Sequence, residues 1–169
     1  MAGRRRPRRN GRPDTDASFR VRPTLPADLP AIQAIEAVSF SDPWSARDFL
    51  ETLATGVTFL AAVDDDGRVL GYLVARQMAD EGEILNVGVD PQYRRIGVGR
   101  GLVSAGLARL QSLGARQVFL EVRESNLAAR ALYRRLDFVE VSKRVKYYRR
   151  PVEDAILLRA AIPAGEGPR

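Results

Sequence analysis

The sequence contains neither cysteine nor histidine. Without cysteine, the chain has no disulfide, no thiolate metal site and no cysteine nucleophile. Without histidine, it has no imidazole-ligated zinc site and no catalytic triad that contains histidine. Any proton transfer near neutral pH therefore has to use Asp, Glu, Tyr, Lys or a chain terminus.

Long hydrophobic runs are also missing. No run approaches the roughly 18 apolar residues of a membrane span, so we expect no membrane partner. The 169 residues are 45% hydrophobic and 28% charged, which is typical of one globular domain with a real core. The first residues lack the apolar stretch of a secretory signal, and we therefore expect a cytoplasmic location.

Positive charge is concentrated at the N-terminus. Residues 1–13 hold six arginines and no acid, so the net charge of +6 leaves residues 14–169 neutral. Such a block is typical of a disordered arm, which is either a solvated tail or a contact for RNA phosphates. We expect a basic arm over residues 1–18, one domain over residues 19–162 and a flexible tail over residues 163–169.

Hydrophobic periodicity predicts an α/β fold with the element order β-α-α-β-β-β-α-β-α-β-β. Ser45 and Asp48 form a capping-box pattern at the start of the second helix. Asp-Asp-Asp-Gly over residues 64–67 predicts a hairpin, and Ser125 is expected to cap the last helix. The order indicates a mixed sheet with an antiparallel first half and one βαβ crossover.

Glycines 97, 99 and 101 occupy the junction between a strand and the helix of that crossover. Glycine lets the backbone adopt positive φ and approach a ligand closely, and a helix N-terminus favours anions. The alternative is a tight turn whose glycines only let the helix and strand pack closely. Three basic side chains favour the anion site: Arg94, Arg95 and Arg100.

Two well-known phosphate loops fit this segment poorly. A P-loop requires Gly-Lys-Ser/Thr, whereas this chain has Gly99-Arg100-Gly101. A dinucleotide-binding fingerprint requires Gly or Ala where Leu102 stands, although Glu121 lies where a ribose-binding acid could be. The loop also follows three predicted strands, and the second half of a doubly wound sheet is missing.

The segment RRIGVG, residues 94–99, resembles the acetyl-CoA pyrophosphate loop of the GCN5-related N-acetyltransferases (GNAT family). Over residues 19–162, the blocks ADLPAIQAIEAVSFSDPWSARDFL, EILNVGVDPQYRRIGVGRGL and FLEVRESNLAARALYRRLDF, followed by KYY and EDAILL, resemble the ribosomal-protein-alanine N-acetyltransferases of this family. The resemblance implies the GNAT fold, with about seven strands, about four helices and a cofactor slit where two parallel strands splay apart. It also implies that acetyl-CoA is the cosubstrate and that no metal is needed.

The resemblance carries the family's cofactor-binding roles onto matching positions. The strand NVGV would pair its backbone with the pantetheine arm, and the backbone N–H near Val89 would polarise the acetyl carbonyl. The loop would hold the pyrophosphate, and the asparagine of SN would hydrogen-bond the cofactor. The implied cofactor-binding residues are Val87, Val89, Arg94, Arg95, Gly97, Gly99, Arg100 and Asn126.

Two residues are candidates for acid–base chemistry. Glu121 interrupts an apolar strand and, by alternation, lies on the face of Phe119; alone, this pattern fits a general base or an ion pair with an arginine. Tyr133 shares a helix face with Asn126, a pattern that also fits core packing. The resemblance implies that Glu121 is the general base and that Tyr133 protonates the leaving thiolate.

Aromatic residues in FSDPW and KYY are candidates for the acceptor slot, or for core positions at element ends: Phe40, Trp44, Tyr147 and Tyr148. The resemblance implies transfer to a protein N-terminus, most specifically the terminal alanine of a small-subunit ribosomal protein. Alternatives are another acceptor amine (a polyamine, aminoglycoside, lysine or aminoacyl-tRNA), or a non-catalytic acetyl-CoA-binding or ribosome-docking module. Asp137 replaces the family's usual glycine, and we expect it to adopt the same left-handed conformation.

Overall fold

A computed structural model describes residues 18–164. The arm predicted over residues 1–18, apart from Ser18, and residues 165–169 of the tail lie outside the described residues. The strands are β1 (Phe19–Pro23), β2 (Thr58–Asp64), β3 (Val69–Met78), β4 (Glu81–Val89), β5 (Gln117–Arg123), β6 (Val139–Arg149) and β7 (Val152–Ala161), and the helices are α1 (Leu29–Ser39), α2 (Ala46–Ala54), α3 (Val98–Ser112) and α4 (Leu127–Arg135).

The seven strands form one sheet in the order β1-β2-β3-β4-β5-β7-β6. All neighbours pair antiparallel except β4 and β5, which are parallel and are connected through α3. This arrangement confirms the predicted element order, the mixed sheet and the single crossover. The parallel pair lies in the middle of the sheet, as the resemblance implied.

Helices cover both faces of the sheet. One hydrophobic cluster joins α3 and α4 to one face, and a second joins α1 and α2 to the other. The central strands β2 and β3 are consequently buried along most of their length, which explains their nearly continuous apolar sequences. Within residues 18–164, no helix is long and apolar enough to cross a membrane.

Local signals in the sequence explain several element ends. Ser45 and Asp48 form the predicted capping box: the Ser45 hydroxyl accepts from the Asp48 N–H, and the Asp48 carboxylate accepts from the Ser45 N–H at 2.7 Å. Gly67 has φ of 81° in the β2–β3 hairpin, a conformation that favours glycine. Asp137 has φ of 65° after α4, which confirms that it adopts the left-handed conformation.

Candidate active site

A slit opens between β4 and β5. The two strands pair only from Glu81 opposite Gln117 to Glu83 opposite Phe119, and beyond that point they separate. A register shift against β3 leaves Leu85 without a partner and forms a bulge in β4. A bulge bends its strand and redirects it. The edge of β4 over residues 84–89 therefore faces a gap, and its backbone polar groups on that side are not used by β5.

The glycine loop lies at the end of β4, beside this gap. Gly97 is the N-cap of α3 with φ of 91°, and a Cβ added there would have no atom within 4 Å. Its glycine is therefore required by backbone conformation, and the space next to it is open. The first amides of a helix have no partner within it, and the helix dipole favours an anion at this end.

Glycine is needed at these three positions for different structural reasons. A Cβ on Gly99 would lie 3.3 Å from the Leu132 side chain, so this position needs a small residue beside α4. A Cβ on Gly101 would lie 2.8 Å from the Phe19 ring, so this glycine lets α3 pack against β1. The alternative interpretation as close packing is therefore correct for Gly101, while the role of Gly97 in a ligand loop stays a prediction.

The three arginines around the loop are all exposed. Arg94 is partly engaged: its Nε donates to the Val89 carbonyl oxygen at 3.2 Å and its Nη2 donates to Ser39 Oγ at 3.2 Å. It ties the end of β4 to the end of α1. Arg95 has φ of 65°, a turn conformation that a non-glycine residue rarely adopts. Arg95 and Arg100 flank the open N-terminus of α3.

Val87 and Val89 are half-buried, and both pack against the main core. Their side chains are thus partly engaged in packing. The expectation that the strand binds a ligand through its peptide groups stays a prediction. Sequence alternation alone did not reveal the bulge at Leu85, which turns the strand at this point.

Glu121 lies on β5 two residues beyond Phe119, the last residue of this strand that pairs with β4. The buried residues of this strand are Val118, Leu120 and Val122, so the predicted alternation is confirmed. The Glu121 carboxylate forms an ion pair with Arg144 on β6, with Nε and Oε1 3.0 Å apart, and the Glu121 side chain retains 19% exposure. The structure therefore contains the ion pair that the sequence left as an alternative, while the carboxylate still reaches the surface.

A bulge in β6 brings two tyrosines beside Glu121. The register slips between Arg144 and Tyr148, and Lys146 has φ of 52° with its N–H held by Asp154 Oδ1 at 2.8 Å. The rings of Tyr147 and Tyr148 meet at 5.1 Å and 87°, although consecutive residues of a regular strand would face opposite sides. Both aromatic residues consequently lie at the same end of the slit.

The pKa values of these tyrosines reflect their surroundings. Interaction of the Tyr147 hydroxyl with the Glu121 carboxylate, together with burial, raises the pKa of Tyr147. Burial, followed by the charge of Glu121, raises the pKa of Tyr148 to about 12, although the nearby Arg123 opposes this shift. Both phenols are therefore neutral hydrogen-bond donors near pH 7.

Tyr133 is buried on α4, and its ring packs edge-on against Phe138 at 5.6 Å. Burial, with a smaller effect of Tyr148, raises the pKa of Tyr133 to about 12. Within residues 18–164, no hydrogen bond of the hydroxyl contributes to this shift. The core-packing interpretation is correct for the ring, and the role of the hydroxyl as a proton donor stays a prediction.

Asn126, rather than Ser125, caps α4. The Asn126 side-chain oxygen accepts from the Ala129 N–H at 3.2 Å. The predicted cap was wrong because the Ser125 hydroxyl binds the Glu153 carboxylate instead, at 2.5 and 2.8 Å. The side-chain amide nitrogen of Asn126 is exposed and is the group that could meet a ligand in the slit.

The loop between α1 and α2 and the turn between β6 and β7 meet at this end of the slit. The Ser41 hydroxyl donates to the Arg150 carbonyl oxygen, and Arg123 Nη2 bonds both of these oxygens, at 3.3 and 3.2 Å. The Arg123 guanidinium also lies 4.2 Å from the centre of the Tyr148 ring. Sequence analysis missed Arg123, because a polar residue at a strand end gives no signal of its partners.

The remaining acceptor candidates lie on this loop. Phe40 is 37% exposed, and Trp44 is half-buried against Phe49 with ring centres 5.3 Å apart. The α1–α2 segment with Phe40 and Trp44 thus meets, through Ser41, the β6–β7 turn that follows Tyr147 and Tyr148. In residues 18–164, no group of three or more Asp, Glu, His or Cys residues is arranged to hold a metal ion.

The splayed strands, the glycine loop and the flanking helices define a class of acyl-transferring enzymes. Residues 29–138 match the acetyltransferase (GNAT) family. The chain belongs to this family.

Several relatives within the family are N-terminal acetyltransferases by name. The chain is 36% identical to the [ribosomal protein bS18]-alanine N-acetyltransferase of Escherichia coli strain K12 over 140 residues, covering 80% of this chain and 92% of that protein. It is 29% identical to an N-alpha-acetyltransferase of Sulfurisphaera tokodaii, covering 85% of this chain and 93% of that protein. The crystal structure of the E. coli ribosomal-protein-S18-alanine N-acetyltransferase superposes with a TM-score of 0.79 at 32% identity, covering 90% of this chain and 99% of that one.

Proposed function

We propose that this enzyme transfers the acetyl group of acetyl-CoA to the N-terminal α-amino group of a protein, and that its substrate is the terminal alanine of ribosomal protein bS18. One observation carries the proposal: the Tyr147–Tyr148 pair lies beside Glu121, a residue of β5 beyond its last pair with β4. The likeness to the bS18-alanine enzymes supports the choice of acceptor. A ribosomal substrate places the reaction in the cytoplasm.

Acetyl-CoA would bind along the gap beside β4. The N-terminus of α3, entered through Gly97, would hold the pyrophosphate, with Arg95 and Arg100 adding positive charge. The β4 edge that β5 leaves unpaired would bond the pantetheine amides, and Asn126 would bond the cofactor with its exposed amide. Because Gly97 opens onto free space, a phosphate can approach its backbone closely.

Glu121 would act as the general base. A protein α-amino group has a pKa of about 7.7–8.0, so a carboxylate within reach, directly or through one water, suffices to remove its proton. The neutral nitrogen attacks the acetyl carbonyl carbon, a C–N bond forms and the C–S bond breaks. The acceptor's ammonium competes with Arg144 for the carboxylate, and Arg144 is exposed enough to move away.

Tyr133 would protonate the departing thiolate. Burial keeps its phenol neutral at the pH of the cell, since its pKa is raised to about 12. Negative charge develops on the CoA sulfur as the C–S bond breaks, and the neutral hydroxyl would donate its hydrogen to that atom. The phenolate left behind is the stronger base of the two, so it would take a proton back from water, and the transfer needs neither a metal nor a histidine.

Carboxylates near the slit do not form a site for a polycation. A polyamine or aminoglycoside acceptor would favour several acidic groups without partners. Within the described residues, each carboxylate that raises the pKa of Tyr147 or Tyr148 also contacts another side chain. The three pairs are Glu121 with Arg144, Glu83 with Arg76, and Glu153 with Ser125. This arrangement favours a single α-amino group as the acceptor.

A peptide panel tests the proposal. We expect turnover of a peptide with the N-terminal sequence of bS18 and none of the same peptide with a blocked N-terminus. A peptide carrying an internal lysine, together with spermidine, gives the matched test of other amines. Turnover of spermidine or lysine without turnover of the α-amine would refute the proposed acceptor class. Equal turnover of unrelated N-termini would refute the specific substrate but retain the class.

A further inference from the structure

One buried carboxylate on α1 has no role in the chemistry above. Glu36 is 2% exposed, yet both of its oxygens are fully engaged. Its Oε1 accepts from the Trp44 N–H at 3.0 Å, its Oε2 accepts from the Tyr72 hydroxyl, and the Asn86 amide donates to both oxygens at 3.1 and 3.0 Å. All of these partners are donors, which is the pattern that an ionised carboxylate accepts.

Stability alone does not explain why a carboxylate occupies this buried position. Within residues 18–164, Glu36 forms no ion pair, and a buried carboxylate without a cation is costly to desolvate. Asp28, just before the same helix, shows the usual solution, because Arg22 binds it through two nitrogens at 2.7 and 3.0 Å. Residues that break a general rule for stable folding, such as a buried carboxylate without a cation, concentrate at functional sites.

The donors that meet at Glu36 come from segments around the acceptor end of the slit. Trp44 belongs to the loop between α1 and α2, and Asn86 directly follows the bulge at Leu85 in β4. Tyr72 on β3 packs so tightly over β4 that a Cβ on Gly88 would lie 2.5 Å from its hydroxyl oxygen. The Glu36 side chain alone therefore connects the α1–α2 loop, through Trp44, to β4, through Asn86.

We infer that Glu36 is a positioning residue for the acceptor. Through Trp44 and Asn86 it sets the spacing between the α1–α2 loop and the open edge of β4, and thereby the fit of the first acceptor residue. It touches neither acetyl-CoA nor the reacting atoms. The inference rests on the proposed function, because that function places the acceptor between these two segments.

Two variants separate positioning from bulk stability. Glu36→Ala removes the acceptor for every donor, whereas Glu36→Gln keeps one oxygen for the Trp44 N–H and allows the Asn86 amide to reverse. Asp28→Asn is the matched control, because it weakens a buried carboxylate site at the far end of the same helix. Thermal unfolding establishes that each variant is folded before its activity is compared.

We expect Glu36→Ala to raise the peptide KM roughly tenfold or more, the size of effect given by one lost buried hydrogen bond of about 1.4 kcal/mol. Its kcat should change much less, and its acetyl-CoA affinity by calorimetry should stay within about twofold, since the glycine loop is untouched. Glu36→Gln should lie between Glu36→Ala and the wild type. Asp28→Asn should leave the peptide KM unchanged.

A second measurement needs no substrate. Trp44 is the only tryptophan in the chain, so its emission and its quenching by acrylamide report the position of the loop. Both should change in the Glu36 variants and stay constant in Asp28→Asn. If Glu36→Ala does not fold, Glu36→Gln gives the same comparison.

The outcomes distinguish this inference from the proposed function. A wild type that acetylates the peptide, with equal peptide KM in the Glu36 and Asp28 variants, would overturn the inference and leave the function standing. A wild type inactive on every α-amine would refute the function. In that case the acceptor role of Glu36 falls with the function, and changed Trp44 fluorescence in the Glu36 variants would show only that Glu36 holds the α1–α2 loop.

Discussion

Replacement of Tyr133 by phenylalanine removes one hydroxyl and keeps the ring that packs on Phe138. Burial and the charge of Tyr148 account for its shifted pKa, and no hydrogen bond contributes. We therefore expect the free energy of unfolding at pH 7 to change by no more than about 0.5 kcal/mol. Tyr72→Phe is the contrasting case: it leaves the buried Glu36 without one donor and should cost about 1–3 kcal/mol.

The catalytic effect should be far larger than the effect on stability. Loss of a general acid typically lowers the rate by ~10²–10⁴-fold, and the loss should appear in kcat more than in acetyl-CoA affinity. Because the chain has no cysteine, the thiol of released CoA can be followed with a thiol reagent without background from the protein. Near-wild-type kcat in a folded, acetyl-CoA-binding Tyr133→Phe would refute the assignment.

The raised pKa gives an independent check by alkaline unfolding. The fold disfavours the ionised phenol, so ionisation does not affect stability below about pH 10, and stability is lost as pH rises from about 10 to about 12. The difference between an ordinary phenol pKa of about 10 and a pKa of about 12 corresponds to about 2.7 kcal/mol. Relative to Tyr133→Phe, the wild type should therefore lose up to about that amount of stability over this window. Parallel stability curves for the two proteins would show that Tyr133 is not buried as described.

Three further predictions concern the base, the loop and the arm. Glu121→Gln should lower the rate at pH 7 and recover part of it at higher pH, as more acceptor amine becomes neutral; the absence of any recovery would exclude the base role. Gly97→Val should abolish acetyl-CoA binding in calorimetry, whereas Gly56→Val, which imposes similar strain at φ of 74° away from the slit, should not. Gly101→Val should instead lower the melting temperature, because its side chain meets Phe19. Deleting residues 1–13 should leave peptide turnover unchanged and reduce salt-sensitive binding to ribosomal RNA; a large loss of turnover would assign the arm to the site.

Local sequence patterns predicted the elements of this fold well. The capping box at Ser45, the hairpin after Asp64 and the alternation around Glu121 each depend on residues a few positions apart. The GNAT resemblance supplied what local patterns lack, namely that the two parallel strands separate to form a slit. Asp137 shows that a departure from the family pattern could be judged from backbone preference alone.

Contacts between distant segments could not be predicted. The bulge in β6 depends on Asp154, eight residues beyond Lys146, and the cap of α4 shifted because Ser125 found Glu153 across the fold. Glu36 occupied a helical position that pattern alone would give to an ordinary surface or core residue. Such polar partners are selected by tertiary proximity, which a single sequence does not encode as periodicity.

The brief pairing of β4 with β5 has a mechanical consequence. The sheet consists of two antiparallel halves, β1–β4 and β5–β7. They are joined by three residue pairs between β4 and β5, at one end of these strands only. The two halves can move relative to each other about the end where they are joined. Because of this local opening, the amide hydrogens of residues 84–89 should exchange with solvent before those of the flanking strands. A long ligand lying in the gap would contact both halves of the sheet and restrict this motion. At one hundred times its dissociation constant it would add about 2.7 kcal/mol of stability by mass action, so the melting temperature itself reports occupancy of the slit.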